Sequence, residues 1–411
     1  MASAPGLHVV FVVPFFMAAT LRFVAGAASL PGVRLSLISQ DPLEELPADL
    51  RGRIVGHWRV EDCMRRADLV GATRELGRRY GDVARLIGSL EQLQVPLAEA
   101  SAELGLPGLA PVAARNFRDK QQMKDVFDAA GLPCARHALI AEGADARRFA
   151  AACGYPLIAK PLAGAGGRNT FRLNDDRELD AYLRSFAPSG ASPVLFEEFL
   201  SGTEHSFDAV MLRGRLIWHS ISIYSPSPLT VMENPWIQWC VLLPRDIGTE
   251  AYRPIEQAAA RALEALGLVT GMAHMEWFRR PDGSIAMSEV AARPPGAQFT
   301  TLISLAHGHD FYRAWPRLMI FDEFDNPLRR FAAGAAYLRG MGTGRVREVQ
   351  GIDTIRREFG ELIVESKWPE PGVTQPTGYE GAGYVLFRHP DTAVVERALR
   401  RAVEVIRVIL V

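Results

Sequence analysis

The sequence predicts a mixed α/β and α+β protein, with a parallel-sheet unit first and a larger part built around antiparallel ribbons after it. Three observations predict this. Residues 7–40 read strand, helix, strand (LHVVFVV, then Met17 to Ser29, then VRLSLIS), which is how an open parallel sheet begins. Two apolar ribbons bracket turn dipeptides: Thr203 to Met211 and Arg215 to Ile223 flank Arg213-Gly214, and Gly271 to Arg279 and Ile285 to Ala291 flank Asp282-Gly283. From about residue 326 a Gly-rich region of short strands follows, closed by a helix expected over Thr392 to Ile409.

Composition narrows the function classes. The chain has 411 residues, 48% of them apolar and 23% charged, enough for two to four packed units of an ordinary globular protein. Formal net charge is −1, so no global field draws nucleic acid or anionic membrane, and an anionic ligand must be held by local groups. Cys63, Cys134, Cys153 and Cys240 are scattered without a CxxC, which reads as reduced thiols in a cytoplasmic protein. Val9 to Ala19 is apolar and Ala25-Gly26-Ala27 resembles a signal-peptidase site. No Lys or Arg precedes the run, Pro14 interrupts it, and it is too short to span a bilayer. A buried strand, His8 to Val13, followed by a helix accounts for it better.

Further elements follow in order. Residues 63–105 read as helical, including Glu91-Gln92-Leu93, and Leu106-Pro107-Gly108 with Pro111 places a boundary near residue 112. A helix is expected over Asp119 to Ala130, stopped by Gly131 and Pro133. Strands are expected at Ala135 to Ile140, Tyr155 to Pro161, Thr170 to Leu173 and Val194 to Glu197, with helices at Asp145 to Cys153 and Glu178 to Ser185. A Pro- and Trp-containing stretch, Tyr224 to Gly248, and a helix, Arg253 to Leu266, separate the ribbons.

The most informative segment is GMAHMEWFRRPDGSIAMSEVAARPPG, residues 271–296. With Asp282-Gly283 as a two-residue turn, Pro281 faces Ser284, Phe278 faces Met287, and Glu276 faces Glu289. Carboxylates directly opposite lie about 4.5–5.5 Å apart at Cβ and repel. Phe278, Met287, Met272 and Ile285 are expected on the same face, so the pair is half-buried and needs a shared proton or a divalent cation. Hard oxygen ligands of this kind suit magnesium on nucleotide phosphates. Arg293 follows, and a helix is expected to begin near Gly296 and Ala297, offering N–H groups to an anion. A cation site, a guanidinium and a helix start at one place are equipment for phosphoryl transfer.

Elsewhere the chemistry is less specific. Lys160 ends the apolar strand YPLIAK, and Gly164, Gly166 and Gly167 follow it. Such a loop approaches phosphate closely, yet neither a Walker A loop nor a dinucleotide fingerprint is present, and a plain hairpin turn explains it equally. Glu197 and Glu198 end a further strand, with solvated strand-end charges as the plain alternative to a nucleotide contact. Glu204, Ser206 and Asp208 alternate on one face, and His219 is expected opposite Asp208 as a structural pair. Tyr224, Trp236 and Trp239 form a candidate substrate wall, with core packing as the alternative. His274 shares the face of Glu276 and reads as a core histidine or a substrate-facing group. His307 and His309 read as loop residues.

Four motifs in order, RDKQQMKDVFDAAGLP, YPLIAKPLAGAGGRNT, VLFEEFLSGTEHSFD and HMEWFRRPDGSIAMSEVAARPPG, together resemble the ATP-grasp superfamily. The resemblance extends to biotin carboxylase, the ATP-dependent glycinamide ribonucleotide formyltransferases and the L-amino-acid ligases. It implies an ATP-grasp fold with an N-terminal Rossmann-like domain over residues 1–112, a small lid subdomain over 113–195, a large subdomain over 196–325 and a small C-terminal β-rich domain over 326–411. It further implies that Lys120 and Lys160 contact ATP under the Gly164, Gly166 and Gly167 loop. Glu197, Glu198, Phe199 and Leu200 would form the adenine hinge, and Glu204 would hold ribose. Glu276 and Glu289 would bind one or two Mg2+, or Mn2+ in its place, and Arg293 would steady an acyl phosphate, with Gly296 on the substrate side. Several members carry Asn where this chain has Ala291, which bears on a second magnesium. The implied activity is ligation of a carboxylate to an amine through an acyl phosphate, by a homodimer acting on small molecules. Rival readings are a carboxylating or formylating ligase of nucleotide metabolism and a non-catalytic nucleotide-binding protein.

Overall fold

Residues 7–87 build one parallel sheet, whose first strand is apolar on both faces. In a computed structural model that describes residues 6–163, 169–234, 236–376 and 378–411, the elements run β1 (Leu7–Val12), α1 (Ala18–Ala28), β2 (Val33–Ser39), α2 (Ala48–Arg51), β3 (Gly56–Arg59), α3 (Arg66–Tyr80), β4 (Val83–Ile87) and α4 (Gln94–Leu104). The strands pair in parallel in the order β3-β2-β1-β4. Val9 and Phe11 pack into one core while Val10 and Val12 pack into another on the opposite face, as a strand covered on both sides requires. Strand β4 corrects the expectation of continuous helix over residues 63–105. Its five residues are too few to display a period that separates strand from helix.

The middle of the chain continues with α5 (Pro111–Arg118) and α6 (Lys120–Ala129). The Asp119 carboxylate caps α6 by accepting from the Gln121 and Gln122 amides at 2.9 and 3.1 Å. Then come β5 (His137–Ile140), α7 (Gly143–Cys153), β6 (Leu157–Lys160), β7 (Phe171–Leu173), α8 (Asp176–Phe186) and β8 (Val194–Glu198). These strands form an antiparallel sheet in the order β5-β8-β6-β7. Gly164, Gly166 and Gly167, between β6 and β7, lie outside the described residues.

The remainder is β9 (Thr203–Leu212), β10 (Arg215–Ser225), α9 (Pro228–Glu233), β11 (Trp239–Leu243), α10 (Arg253–Leu266), β12 (Gly271–Arg279), β13 (Ile285–Ala291), α11 (Phe299–His307) and α12 (Phe311–Phe321). It ends with β14 (Ala332–Leu338), β15 (Val346–Gln350), α13 (Ile352–Phe359), β16 (Ile363–Lys367), β17 (Gly383–His389), α14 (Thr392–Val405) and β18 (Arg407–Leu410). One eight-stranded sheet runs β13-β12-β9-β10-β11-β14-β17-β16, so it continues across residues 325 and 326 into the C-terminal region. The expected final helix stops at Val405, because the run Val405, Ile406, Val408 and Ile409 is β-branched, and β18 pairs with β15. The N-terminal unit docks on α12 at Gly26, where an added Cβ would lie 2.0 Å from the Tyr312 carbonyl oxygen. Only glycine permits that approach. Among the described residues no helix is long and apolar enough to cross a membrane, and all four cysteines are free.

The β9–β10 turn holds as expected, with Leu212 opposite Arg215. A bulge between Leu216 and Trp218 then shifts the register, so His219 faces Ala209 and not Asp208. His219 instead lies 3.3 Å from the Glu256 carboxylate and stacks on Phe207 at 4.9 Å between ring centroids.

Candidate active site

A cleft lies between the small sheet and the large one, lined from both. Its floor is the β12–β13 hairpin. The loop there has three residues, Pro281 to Gly283, with Gly283 at φ +84°. Arg280 and not Pro281 faces Ser284, donating its amide to the Ser284 carbonyl at 2.8 Å. Arg279 therefore faces Ile285, Phe278 faces Ala286, and Trp277 faces Met287, one position off the two-residue-turn register. A bulge at Ser288 then brings Glu276 directly opposite Glu289. Ser288 and Glu289 both line the cleft. Met287 and Ile285 are packed in the core with Trp277, so neither shares the carboxylate face as expected, whereas Phe278 does line the cleft.

The lysines reach this floor from two elements. On α6 the buried positions are Lys120, Met123, Lys124 and Phe127, the i, i+3, i+4, i+7 stripe of a helix packed on one side. Lys120 Nζ donates to Glu289 Oε1 at 2.7 Å. Lys124, which the sequence reading passed over, donates to the Met287 carbonyl at 3.3 Å and lies 3.5 Å from Glu197. Lys160, at the end of β6, pairs with Glu197 at 2.8 Å. The Glu197 carboxylate is thus turned toward two lysines, and Glu198 is turned toward Arg136 at 2.8 Å and Arg280 at 3.1 Å. Neither carboxylate is presented to a ligand as a free acceptor, although Glu197, Glu198, Phe199 and Leu200 all line the cleft.

Electrostatics separate the carboxylates. Burial pushes the Glu197 carboxyl up, but Lys124 and Lys160 outweigh it and hold the group down to about 2. Burial and then the charge of Glu289 raise Glu276. Glu289 is itself lowered, because Lys120 and Lys160 overcome its burial. Glu204, 8% exposed and opposite Phe278 on β9, is raised well above the carboxylate range by burial and then by Glu276. Four carboxylates, Glu197, Glu204, Glu276 and Glu289, and three lysines, Lys120, Lys124 and Lys160, thus lie close together, and the two carboxylates that no lysine pairs with directly, Glu204 and Glu276, are the ones raised.

Arg293 stands at the far end of the floor and is held by a residue the sequence reading did not single out. Its Nε and Nη2 donate to Glu91 Oε2 at 3.1 and 2.8 Å, and Arg118 Nη1 donates to Glu91 Oε1 at 2.9 Å. Glu91 is 6% exposed and comes from the N-terminal unit. Gly296 lines the cleft, but α11 begins at Phe299 and not near Ala297. Ala297 and Gln298 take left-handed backbone angles, and the Thr300 hydroxyl donates to the Pro295 carbonyl at 2.8 Å, fixing a turn ahead of the helix. His274 lines the cleft, its Nδ1 2.7 Å from the buried Asp208 carboxylate. Tyr224 and Trp239 line it as well. Trp236 is 55% exposed and does not, which corrects its place in the expected wall.

Comparison with known proteins agrees with this geometry. Residues 125–307 match the model of the ATP-grasp domain. A protein of Sinorhizobium fredii, y4rH, is 26% identical over 345 residues, 82% of this chain and 70% of that one. Alanine–anticapsin ligase of Bacillus subtilis is 28% identical over 236 residues, 52% of this chain, so the chain spans 49% of that relative's length. Among solved structures, the L-amino acid ligase from Bacillus licheniformis superposes with a TM-score of 0.80 at 18% identity, covering 100% of both chains. An N5-carboxyaminoimidazole synthetase from Staphylococcus aureus, complexed with ADP, superposes with a TM-score of 0.68 at 12% identity over 97% of each chain. This chain has the ATP-grasp fold, and its facing carboxylates, lysines and arginine lie within or beside the segment that matches the ATP-grasp domain.

Proposed function

We propose that the protein is an ATP-dependent ligase that activates a carboxylate as an acyl phosphate and joins it to an amine, releasing ADP and phosphate. One observation carries the reading: two half-buried carboxylates, Glu276 and Glu289, face each other beside Lys120 and Lys160, and Arg293 opens onto the same cleft.

The donor set fits a hard divalent cation, because burial and then the charge of Glu289 disfavour the ionised Glu276, and a cation between the two carboxylates would offset both. Magnesium bound there with the nucleotide would neutralise charge on the phosphate oxygens. The protein's own groups do the rest. Lys160, kept charged by Glu197, and Lys120 meet phosphate. Arg293, its planar guanidinium fixed by Glu91, holds an oxyanion at the acyl centre. A carboxylate oxygen of the substrate attacks the terminal phosphorus of ATP, and ADP leaves. The amine nitrogen then attacks the acyl carbon, phosphate leaves, and the amine gives up a proton. No side-chain nucleophile is needed, since positioning and charge neutralisation supply the rate.

The test is phosphate release by the full chain with magnesium and ATP across a panel of carboxylates and amines. The proposal expects release only when both substrates are present, with one ADP formed per amide. Release that is indifferent to the added acid and amine would overturn it.

A further inference from the structure

Beside the carboxylates and Arg293 the cleft has an aromatic wall. Tyr224 ends β10, Trp239 begins β11, Phe299 begins α11, and Tyr379 comes from the loop ahead of β17. All four line the cleft, together with Pro228 and Leu229 of α9. Tyr224 and Tyr379 meet the Trp239 ring edge-on at 5.4 and 4.7 Å between centroids, and Phe299 meets Tyr224 edge-on at 5.7 Å. Tyr337 stacks behind Trp239 at 4.9 Å.

Several features argue for a ligand here and not for core packing alone. Phenol and indole groups that are buried ordinarily find hydrogen-bond partners, and Tyr337 does, through its hydroxyl to the Ala297 carbonyl. The Trp239 indole N–H, buried and 1% exposed as a residue, meets no acceptor among the described residues. Tyr224 and Tyr379 line the cleft, and their hydroxyls make no hydrogen bond to the described residues. The six wall residues are all neutral, so nothing in the wall would pair with a charged side chain. The wall is also fixed in advance: Arg339, buried, donates to the Val231 and Ile237 carbonyls at 2.7 and 3.0 Å, fastening α9 and the chain after it to the end of β14. The aromatic wall lies beside the reacting groups, since Glu276, Glu289 and Arg293 line the same cleft as Tyr224 and Tyr379.

Resting on the ligase reading above, we infer that the acid substrate carries an aromatic side chain with a hydrogen-bond acceptor on its ring, seated against Tyr224, Trp239, Phe299 and Tyr379. Ring edges and faces in this arrangement favour another ring over an aliphatic chain of equal area. The unpartnered donors favour a ring oxygen or nitrogen over a bare phenyl.

The experiment measures phosphate release against a fixed amine for four acids: tyrosine, phenylalanine, alanine and glutamate. Tyrosine should exceed alanine and glutamate in kcat/KM by about tenfold or more, and phenylalanine should fall between. Trp239→Phe should erase the advantage of tyrosine over phenylalanine. Because Trp239 is deeply packed, Tyr379→Leu is the second variant; it should cut the aryl-over-alanine ratio to below about threefold while the KM for ATP stays unchanged. Equal or better turnover of alanine or glutamate by the unaltered protein would refute the inference and leave the ligase reading standing. Silence with every acid and amine would remove both.

Discussion

The two hairpins of the large sheet share a tight glycine-containing turn and differ in where a bulge interrupts the pairing. In β9–β10 the Arg213-Gly214 turn sets the pairing beside it, and a bulge further along undoes it, so His219 misses Asp208. In β12–β13 the loop is one residue longer than Asp-Gly alone implies, and a bulge at Ser288 cancels the shift, so Glu276 meets Glu289. A turn fixes register only as far as the next bulge. The second bulge also does something a regular ladder does not: it sets two successive side chains, Ser288 and Glu289, toward the cleft. Bulges recur beside active sites because they re-aim a side chain in this way.

The largest effect that follows concerns the hairpin whose deviations cancel. Glu289→Gln keeps the size of the side chain and removes the charge that Lys120 and a cation would share. Turnover should fall by on the order of 10²–10³, the scale for deleting one group that stabilises transition-state charge. The thermal midpoint should stay within a few degrees, because the glutamine amide still fills the site. Near-normal turnover would show that the facing carboxylates are not the catalytic floor.

A smaller effect tests the hairpin whose register moved. Asp208 belongs to His274 and not to His219. Asp208→Asn should lower kcat about tenfold, about 1.4 kcal/mol of barrier, because a neutral acceptor holds the ring of His274 less firmly than a carboxylate does. His219→Phe should leave activity within about twofold and cost a few degrees of thermal midpoint through its lost contact with Glu256. Equal losses from the two variants would restore the pairing that the bulge displaced.

Much of this was legible in sequence, and the failures have physical causes. The parallel opening showed itself because strands covered on both faces are continuously apolar. The site residues on one hairpin showed themselves because a strand has period two. Lys124 was equally legible, since it shares the helical stripe of Lys120, Met123 and Phe127, but its charge invited the assumption of exposure. Glu91 was not legible: it touches Arg293 across 202 positions, and no local pattern reports a contact between units. The lengthened loop and the bulge at Ser288 were hidden for a different reason. Each alters the count by one residue, and alternation survives both.

The smallest expected effect separates two tryptophans three positions apart. Trp236 and Trp239 look alike in sequence, both aromatic and both just after α9. Trp239 begins β11, where strand pairing with Tyr337 fixes its direction and packs it among rings. Trp236 precedes the strand and is 55% exposed, so nothing directs it inward. Trp236→Ala should therefore change kcat/KM for any acid by less than about twofold and stability by less than about 0.5 kcal/mol, the range of surface substitutions. The same acid panel that reads the Trp239 and Tyr379 variants checks it. A Trp236→Ala variant that altered the ratio between aryl and small acids would return Trp236 to the substrate wall.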